Sequence, residues 1–241
     1  MKVTLLAHTP NPADIAEIGA KTCYSAEVPS KIEPTDEKKA LNRAIQSGHE
    51  SVLEHATFTF AIDGISRACS HQLVRHRVAS FSQQSQRYVK MDNLQNSFVM
   101  PKSITKQIEI DEMNGRGWDP NGYSGSKINW FFANLDLLVD ELRKSGIPEE
   151  DIRYFYPNGM MTNIVVTMNA RELRHFFSLR CCTRAQWEIR ELADSMLAIC
   201  KEVAPDLFID AGASCVQLGY CPEVKSCGKT KTLSEIKNAQ D

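Results

Sequence analysis

Ala56-Thr57-Phe58-Thr59-Phe60-Ala61-Ile62 leads through Asp63-Gly64 into Ile65-Ser66-Arg67-Ala68-Cys69-Ser70-His71-Gln72-Leu73-Val74-Arg75-His76-Arg77. The first seven residues alternate apolar with small or polar side chains, the two-residue period of a half-buried strand. Asp63-Gly64 reads as the end of that strand. Beyond it Ala68, Cys69, Gln72, Leu73 and His76 recur at three and four, so Ile65 to about Arg77 reads as a helix.

Toward the N-terminus, Lys2 to Ala7 reads as a short strand. Thr9-Pro10-Asn11-Pro12 then turns the chain into a helix carrying Ile15, Ile18 and Cys23. A second helix is predicted over Glu37 to Ser47, stopped by Gly48. Toward the C-terminus, Ala79 to Gln86 is rich in serine and glutamine and predicts irregular structure. The polar segment from Asp111 to Gly125 holds Gly115, Gly117, Gly122 and Gly125, and a mobile loop is expected there. Lys127 to Lys144 reads as an apolar helix capped by Ser126 and terminated at Gly146. Pro148 followed by Glu149, Glu150 and Asp151 looks like the first turn of a further helix, with proline at its first position and acids at the positive end of its dipole. Asn163 to Met168 is β-rich, while Ala170 to Arg180 and Ala185 to Val203 are amphipathic helices, the latter ending before Pro205. With no repeat and no linker, residues 1–224 read as a single domain, and 225–241 as a polar tail expected to fray.

The 241 residues are 42% hydrophobic and 24% charged, the composition of an ordinary globular protein. A net charge of −2 gives no bulk attraction to nucleic acid or to an anionic membrane, so any anion site must be local. The apolar stretch at the start is too short for a signal-peptide core. Runs such as Ile164 to Met168 fall short of the roughly 20 residues a membrane span needs. A cytoplasmic location is expected, with the eight cysteines reduced. Cys215, Cys221 and Cys227 lack the paired C-x2-C spacing of zinc sites, and no metal is assigned to them.

Chemistry concentrates between Gln72 and Tyr88. Arg75, His76, Arg77 and Arg87 fall within 13 positions, beside Ser80, Ser82, Gln83, Gln84, Ser85 and Gln86. Guanidinium forks match phosphate or a uracil-type carbonyl, and hydroxyls with backbone N–H groups complete an anion cradle, which suits a nucleotide. A basic, solvated helix end accounts for the same residues equally well.

Arg75-His76-Arg77, seven residues, then Ser85 resembles the RHR-x7-S motif of the flavin-dependent thymidylate synthase family. Thr9-Pro10-Asn11-Pro12, Thr22-Cys23-Tyr24-Ser25, Gly48-His49-Glu50-Ser51 with Glu54-His55, Asn169-Ala170-Arg171, Leu179-Arg180 and Gln186-Trp187-Glu188 extend the resemblance from about residue 3 to about 205. It implies an α+β fold, an antiparallel sheet with flanking helices like that of the thymidylate synthase-complementing protein. It also implies a homotetramer whose active sites are shared between subunits.

By the same resemblance the activity is reductive methylation of dUMP to dTMP, with 5,10-methylenetetrahydrofolate as carbon donor and FAD reduced by NADPH as hydride source. Arg75, His76 and Arg77 would contact FAD, as would Ser51, Glu54, Asn169, Arg171 and His175, with Arg75 lying between cofactor and dUMP. Gln72, Gln83, Gln84, Ser85, Gln86 and Arg87 would line the dUMP pocket, Arg87 and Arg153 taking phosphate. Arg180 would bind the pyrimidine, where developing negative charge needs a fixed cation, and His49 would sit at the flavin edge. Gln83 stands where the family often carries glutamate, and His175 where asparagine is also found. Ser85 belongs to the catalytic set with Arg180 and His49, but no Ser-His-Asp spacing activates it, which favours a binding role.

Two other classes remain. The cysteine-dependent thymidylate synthase needs a Pro-Cys-His nucleophile motif, whereas Cys221-Pro222 has the reverse order. A non-catalytic nucleotide- or RNA-binding protein could use the arginine-rich loop, against which stands a pI of about 6.3.

Overall fold

A computed structural model describes residues 1–114 and 124–238. The chain runs β1 (Lys2–His8), α1 (Pro12–Thr22), α2 (Lys39–Gln46), β2 (Thr57–Ser66), α3 (Arg67–Leu73), β3 (Ala79–Gln83), α4 (Lys102–Met113) and α5 (Ser124–Lys144). It continues through α6 (Glu149–Ile152), β4 (Met161–Asn169), α7 (Ala170–Arg180), α8 (Trp187–Val203), α9 (Pro205–Phe208), α10 (Ser214–Leu218) and α11 (Leu233–Lys237). The strands form one antiparallel sheet in the order β1-β2-β4-β3 with helices flanking it, the α+β class expected.

The structure moves three boundaries around the opening stretch. Asp63-Gly64 does not end β2: Gly64 takes φ +70°, and Asn163 Oδ1 accepts its N–H at 2.9 Å, so the strand runs on to Ser66. The helix after it is shorter than its period suggests. It starts at Arg67, whose N–H donates to the Met160 carbonyl at 2.9 Å, and ends at Leu73, leaving Arg75, His76 and Arg77 outside regular structure. Ala79 to Gln83 forms the edge strand β3 rather than irregular chain.

Further along, α5 begins at Ser124, so position 126 lies inside the helix rather than at its N-cap position. Of the mobile loop expected over 111–125, Asp111 to Met113 belong to α4 and Ser124 and Gly125 to α5, while residues 115–123 lie outside the described residues. Where described, the tail carries local contacts: Cys221 N–H donates to the Lys231 carbonyl, and Thr232 with Glu235 forms a capping box on α11. No helix among the described residues is long and apolar enough to cross a membrane.

The residues fall into two compact units. The first comprises Met1–Ile62, Gln72–Ser82 and Val165–Asp241. Its core explains the β2 alternation, because Phe58, Phe60 and Ile62 are buried while Thr57, Thr59 and Ala61 are not. Phe176 and Phe177 of α7, Ile189, Leu192 and Met196 of α8, and Phe208 of α9 are fully buried in the same unit. Phe208 meets Phe58 edge-on at 5.4 Å and Phe177 at 6.1 Å. Burying each such ring stabilises the unit by about 1.5–3 kcal/mol.

The second unit comprises Asp63–His71 and Gln83–Ile164. Phe132, Leu135 and Val139 recur at helical spacing on one face of α5 and pack with Leu94, Ile152 and Met160. Arg143, at the end of α5, donates to both carboxylate oxygens of Glu149 at 2.7 and 3.3 Å and to the Met91 carbonyl at 3.1 Å. These bonds fix the segment that carries Arg153.

Candidate functional site

Helix α7 organises the first unit's polar side chains. Asn169 caps it, Oδ1 accepting the Glu172 N–H at 2.9 Å. The α-helical period then places Glu172, His175 and Ser178 along one side. Glu172 is buried, and its Oε1 lies 3.1 Å from His76 Nδ1. On the other side of the imidazole, Arg180 Nε donates to His76 Nε2 at 3.1 Å. The His76 ring is only 5% exposed and meets Phe176 edge-on at 4.9 Å. Burial, the largest influence, holds its pKa below the ordinary 6.5; Glu172 opposes that shift, while Arg180 and His175 add to it.

Arg75 and Arg77, flanking that buried histidine, are exposed, and among the described residues neither forms an ion pair. The triplet therefore divides: the arginines face outward, and the histidine turns inward with both ring nitrogens engaged. Gln72, in the last turn of α3, is half-buried.

A cavity of about 490 Å³ beside α7 is lined by Glu54, Asn169, Arg171 and His175, four of the residues expected to meet the cofactor. Glu50, Arg174 and Gln217 line it too, and sequence reasoning missed them. Arg171 pairs with Glu54 at 2.5 Å. Arg174 is buried, its terminal nitrogens donating to the Asp210 carboxylate at 2.7 and 3.0 Å and to the Leu207 carbonyl at 2.8 Å. Its Nε, 3.6 Å from Glu50, is buried without a hydrogen-bond partner. His49 and Ser51 do not join this cavity; they line a separate hollow of about 160 Å³ with Arg43 and Tyr24. Arg180 lines a third cavity, of about 480 Å³, with Cys181, Cys182, Cys215, Cys221 and Cys227. Among the described residues no cluster of three or more His, Cys, Asp or Glu is placed to hold a metal ion.

The remaining expected substrate residues belong to the second unit. Gln83 directs its amide nitrogen inward and donates to Ser70 Oγ at 3.0 Å and Thr162 Oγ1 at 3.1 Å. Gln84 Oε1 accepts from Asn163 Nδ2 at 3.0 Å, and the Gln86 amide reaches Met91 Sδ at 3.9 Å. Ser85 Oγ accepts the Arg87 N–H at 3.2 Å and closes a turn.

Glu150 gathers two of the arginines. Its carboxylate accepts from Arg87 Nε and Nη2 at 3.1 and 2.9 Å, and its carbonyl accepts from Arg153 Nε at 3.1 Å. Arg67, another residue that sequence reasoning missed, has its pKa lowered first by burial and then by Arg153 nearby. Like charges side by side favour an anion between them. No sequence signal marked Arg67, a single cation at a helix start. Glu172 did carry one, as the acid three residues after a capping asparagine, but that pattern points to a cap and not to a partner for His76.

Residues 4–206 match the family model described as thymidylate synthase complementing protein. The chain is 45% identical to the flavin-dependent thymidylate synthase of Clostridium tetani, over 98% of this chain and 96% of that one. It is 45% identical to the enzyme of that name from Geobacter sulfurreducens (98% and 97% covered), and 45% identical to that from Pyrococcus abyssi (92% and 90%).

Proposed function

Because the chain belongs to the thymidylate synthase complementing protein family, we propose that it is a flavin-dependent thymidylate synthase. It methylates dUMP reductively to dTMP, taking the carbon from 5,10-methylenetetrahydrofolate and reducing power from NADPH through FAD. The observation that carries this is 45% identity, sustained over nearly the whole length of enzymes that bear the name.

The residues around the 490 Å³ cavity suit a flavin nucleotide. Arg171 matches its phosphates, and Asn169 and Gln217 offer amides to its ring, while Arg174, its fork held by Asp210 and the Leu207 carbonyl and its Nε facing Glu50, shapes the wall. The volume lies within the roughly 300–1,000 Å³ of small-ligand pockets, and Glu54 and His175 complete the lining. Bound there, FAD supplies the hydride that turns the transferred carbon into a methyl group.

The chain's own groups bind and orient. Arg87 and Arg153, with Arg67 beside them, hold the dUMP phosphate. Gln72, Gln84 and Gln86 border the nucleotide, and Arg75 lies between it and the flavin, with Arg77 on the flavin. Arg180 stabilises negative charge on the pyrimidine ring as C5 attacks the folate carbon. Ser85 acts as a hydrogen-bonding group, since its hydroxyl meets a backbone N–H and, among the described residues, no base. His49 and Ser51, in their own hollow, are assigned to the flavin edge by the family resemblance alone.

The protein works as a cytoplasmic homotetramer, residues 1–224 forming its catalytic domain and each site drawing on neighbouring subunits. Trp130, Phe131, Leu137 and Leu138 expose an apolar stripe on α5 suited to such burial. Eight free thiols suit a reducing compartment.

Purified protein reconstituted with FAD is expected to be yellow and to bleach anaerobically with NADPH. Arg180→Ala is expected to keep its colour and lose dTMP formation. A protein that stays colourless with excess FAD but binds dUMP points instead to a non-catalytic nucleotide-binding protein.

A further inference from the structure

We propose that Glu172 and His76 form a relay that positions Arg180, and that the relay releases Arg180 when His76 takes up a proton. Its importance for catalysis rests on the reading that Arg180 contacts the pyrimidine; the hydrogen bonding does not.

Arginine does not deprotonate in proteins, so its Nε can only donate. With Arg180 Nε 3.1 Å from His76 Nε2, that imidazole nitrogen must be the acceptor and carry no hydrogen. The single ring proton of neutral histidine then sits on Nδ1, directed at Glu172 Oε1, 3.1 Å away and able only to accept. One tautomer satisfies both contacts, and the carboxylate selects it.

The groups around the ring sharpen the choice. Glu172, His175, Phe176 and Arg180 all come from α7, the ring is buried, and Arg75 and Arg77 adjoin it in the chain. Burial and Arg180 keep the imidazole neutral near pH 7. A second ring proton would face Arg180 Nε donor to donor, cation to cation, and break that bond. Arg180 would then lose the contact that fixes its Nε, at the root of the fork that meets the substrate. Within the Arg75-His76-Arg77 triplet, the His76 ring thus spends both nitrogens on Glu172 and Arg180.

The test measures kcat and KM for dUMP on flavin-loaded enzyme from about pH 5 to pH 8, each variant read against its own value at pH 8, with flavin content recorded throughout. Wild-type KM for dUMP is expected to rise in acid, below the ordinary histidine value of 6.5. His76→Gln places an amide oxygen near the Nε2 position and cannot titrate, so its acid rise disappears. Glu172→Gln removes the charge that favours the imidazolium, so the acid rise moves to lower pH. His76→Leu loses roughly 10- to 100-fold in kcat/KM for dUMP, the scale of a lost charge-assisted hydrogen bond.

A His76→Gln profile with the wild-type acid rise overturns the relay, as does an unshifted Glu172→Gln profile. Should His76→Leu fail to fold, those two profiles still decide. Arg180→Ala separates the two claims. If it is inactive while His76→Gln keeps the wild-type profile, only the relay fails; if it turns over normally, the assignment of Arg180 to the pyrimidine fails.

Discussion

Replacing Asn169 separates two duties of one side chain. Its Oδ1 accepts the Glu172 N–H at 2.9 Å and caps α7, while the residue also lines the cavity shared with Glu54, Arg171 and His175. Asn169→Ala removes the acceptor and leaves an N–H of the first turn unpaired. An N-cap of this kind contributes about 1 kcal/mol, within a range of roughly 0.5–2. In a domain of this size each kcal/mol lowers Tm by about 2–4 °C, so flavin-free Asn169→Ala should melt about 2–4 °C below wild type.

Asn169→Asp keeps the acceptor and adds negative charge at the positive end of the α7 dipole, so its Tm should equal or exceed wild type. A carboxylate cannot donate, however, and any bond from the amide nitrogen to the flavin is lost in both variants. Circular dichroism melts at fixed protomer concentration, where subunit association does not confound the comparison, give the first quantity. Flavin absorbance per protomer after gel filtration gives the second. Equal melting of Asn169→Ala and wild type would refute the cap; full flavin retention by Asn169→Asp would refute the amide contact.

Three further outcomes follow from groups away from the cap. Cys227 is exposed and its thiol is held below the ordinary value, first by the Thr183 hydroxyl, whereas burial pushes the Cys200 thiol up; iodoacetamide at neutral pH should modify Cys227 first, and peptide mass spectrometry showing Cys200 ahead of it would contradict this. The Arg174 fork holds the Asp210 carboxyl below its ordinary 3.8, so the pair stabilises the fold above that value and its contribution is lost as pH falls through the folded pKa. Asp210→Asn should therefore be less stable than wild type at neutral pH by urea unfolding, with the gap closing in acid; a pH-independent gap would contradict the pairing. Phe58→Ala opens the core where Phe208 meets it edge-on, at a cost of about 3–5 kcal/mol visible as a lower urea midpoint, and a loss below roughly 1 kcal/mol would show that the ring is not packed as described.

The sequence displayed its sheet and helices unevenly, for identifiable reasons. The alternation from Thr57 to Ile62 was legible because one face of β2 is buried and the other is not. β3 was not, because an edge strand of serines and glutamine carries no strong apolar face. α4 was missed for a similar reason: among its residues only Asp111 is buried, so no apolar stripe marks it.

At the candidate site, the motif residues could be named in advance, and the family match over residues 4–206 nearly coincides with the stretch in which the resemblance was read. The inward turn of His76 could not be foreseen, because it depends on Glu172 and Arg180, about a hundred residues away in the chain. The grouping of Arg87 and Arg153 on Glu150 is a tertiary contact of the same kind, invisible to periodicity.

Tritium release from dUMP labelled at C5 tests the central claim most directly, since methylation there must expel that hydrogen. The account predicts release matched by dTMP when FAD, NADPH and methylenetetrahydrofolate are all present, and no dTMP when the flavin is withheld. Folded, FAD-saturated protein that forms no dTMP from the complete mixture would contradict it.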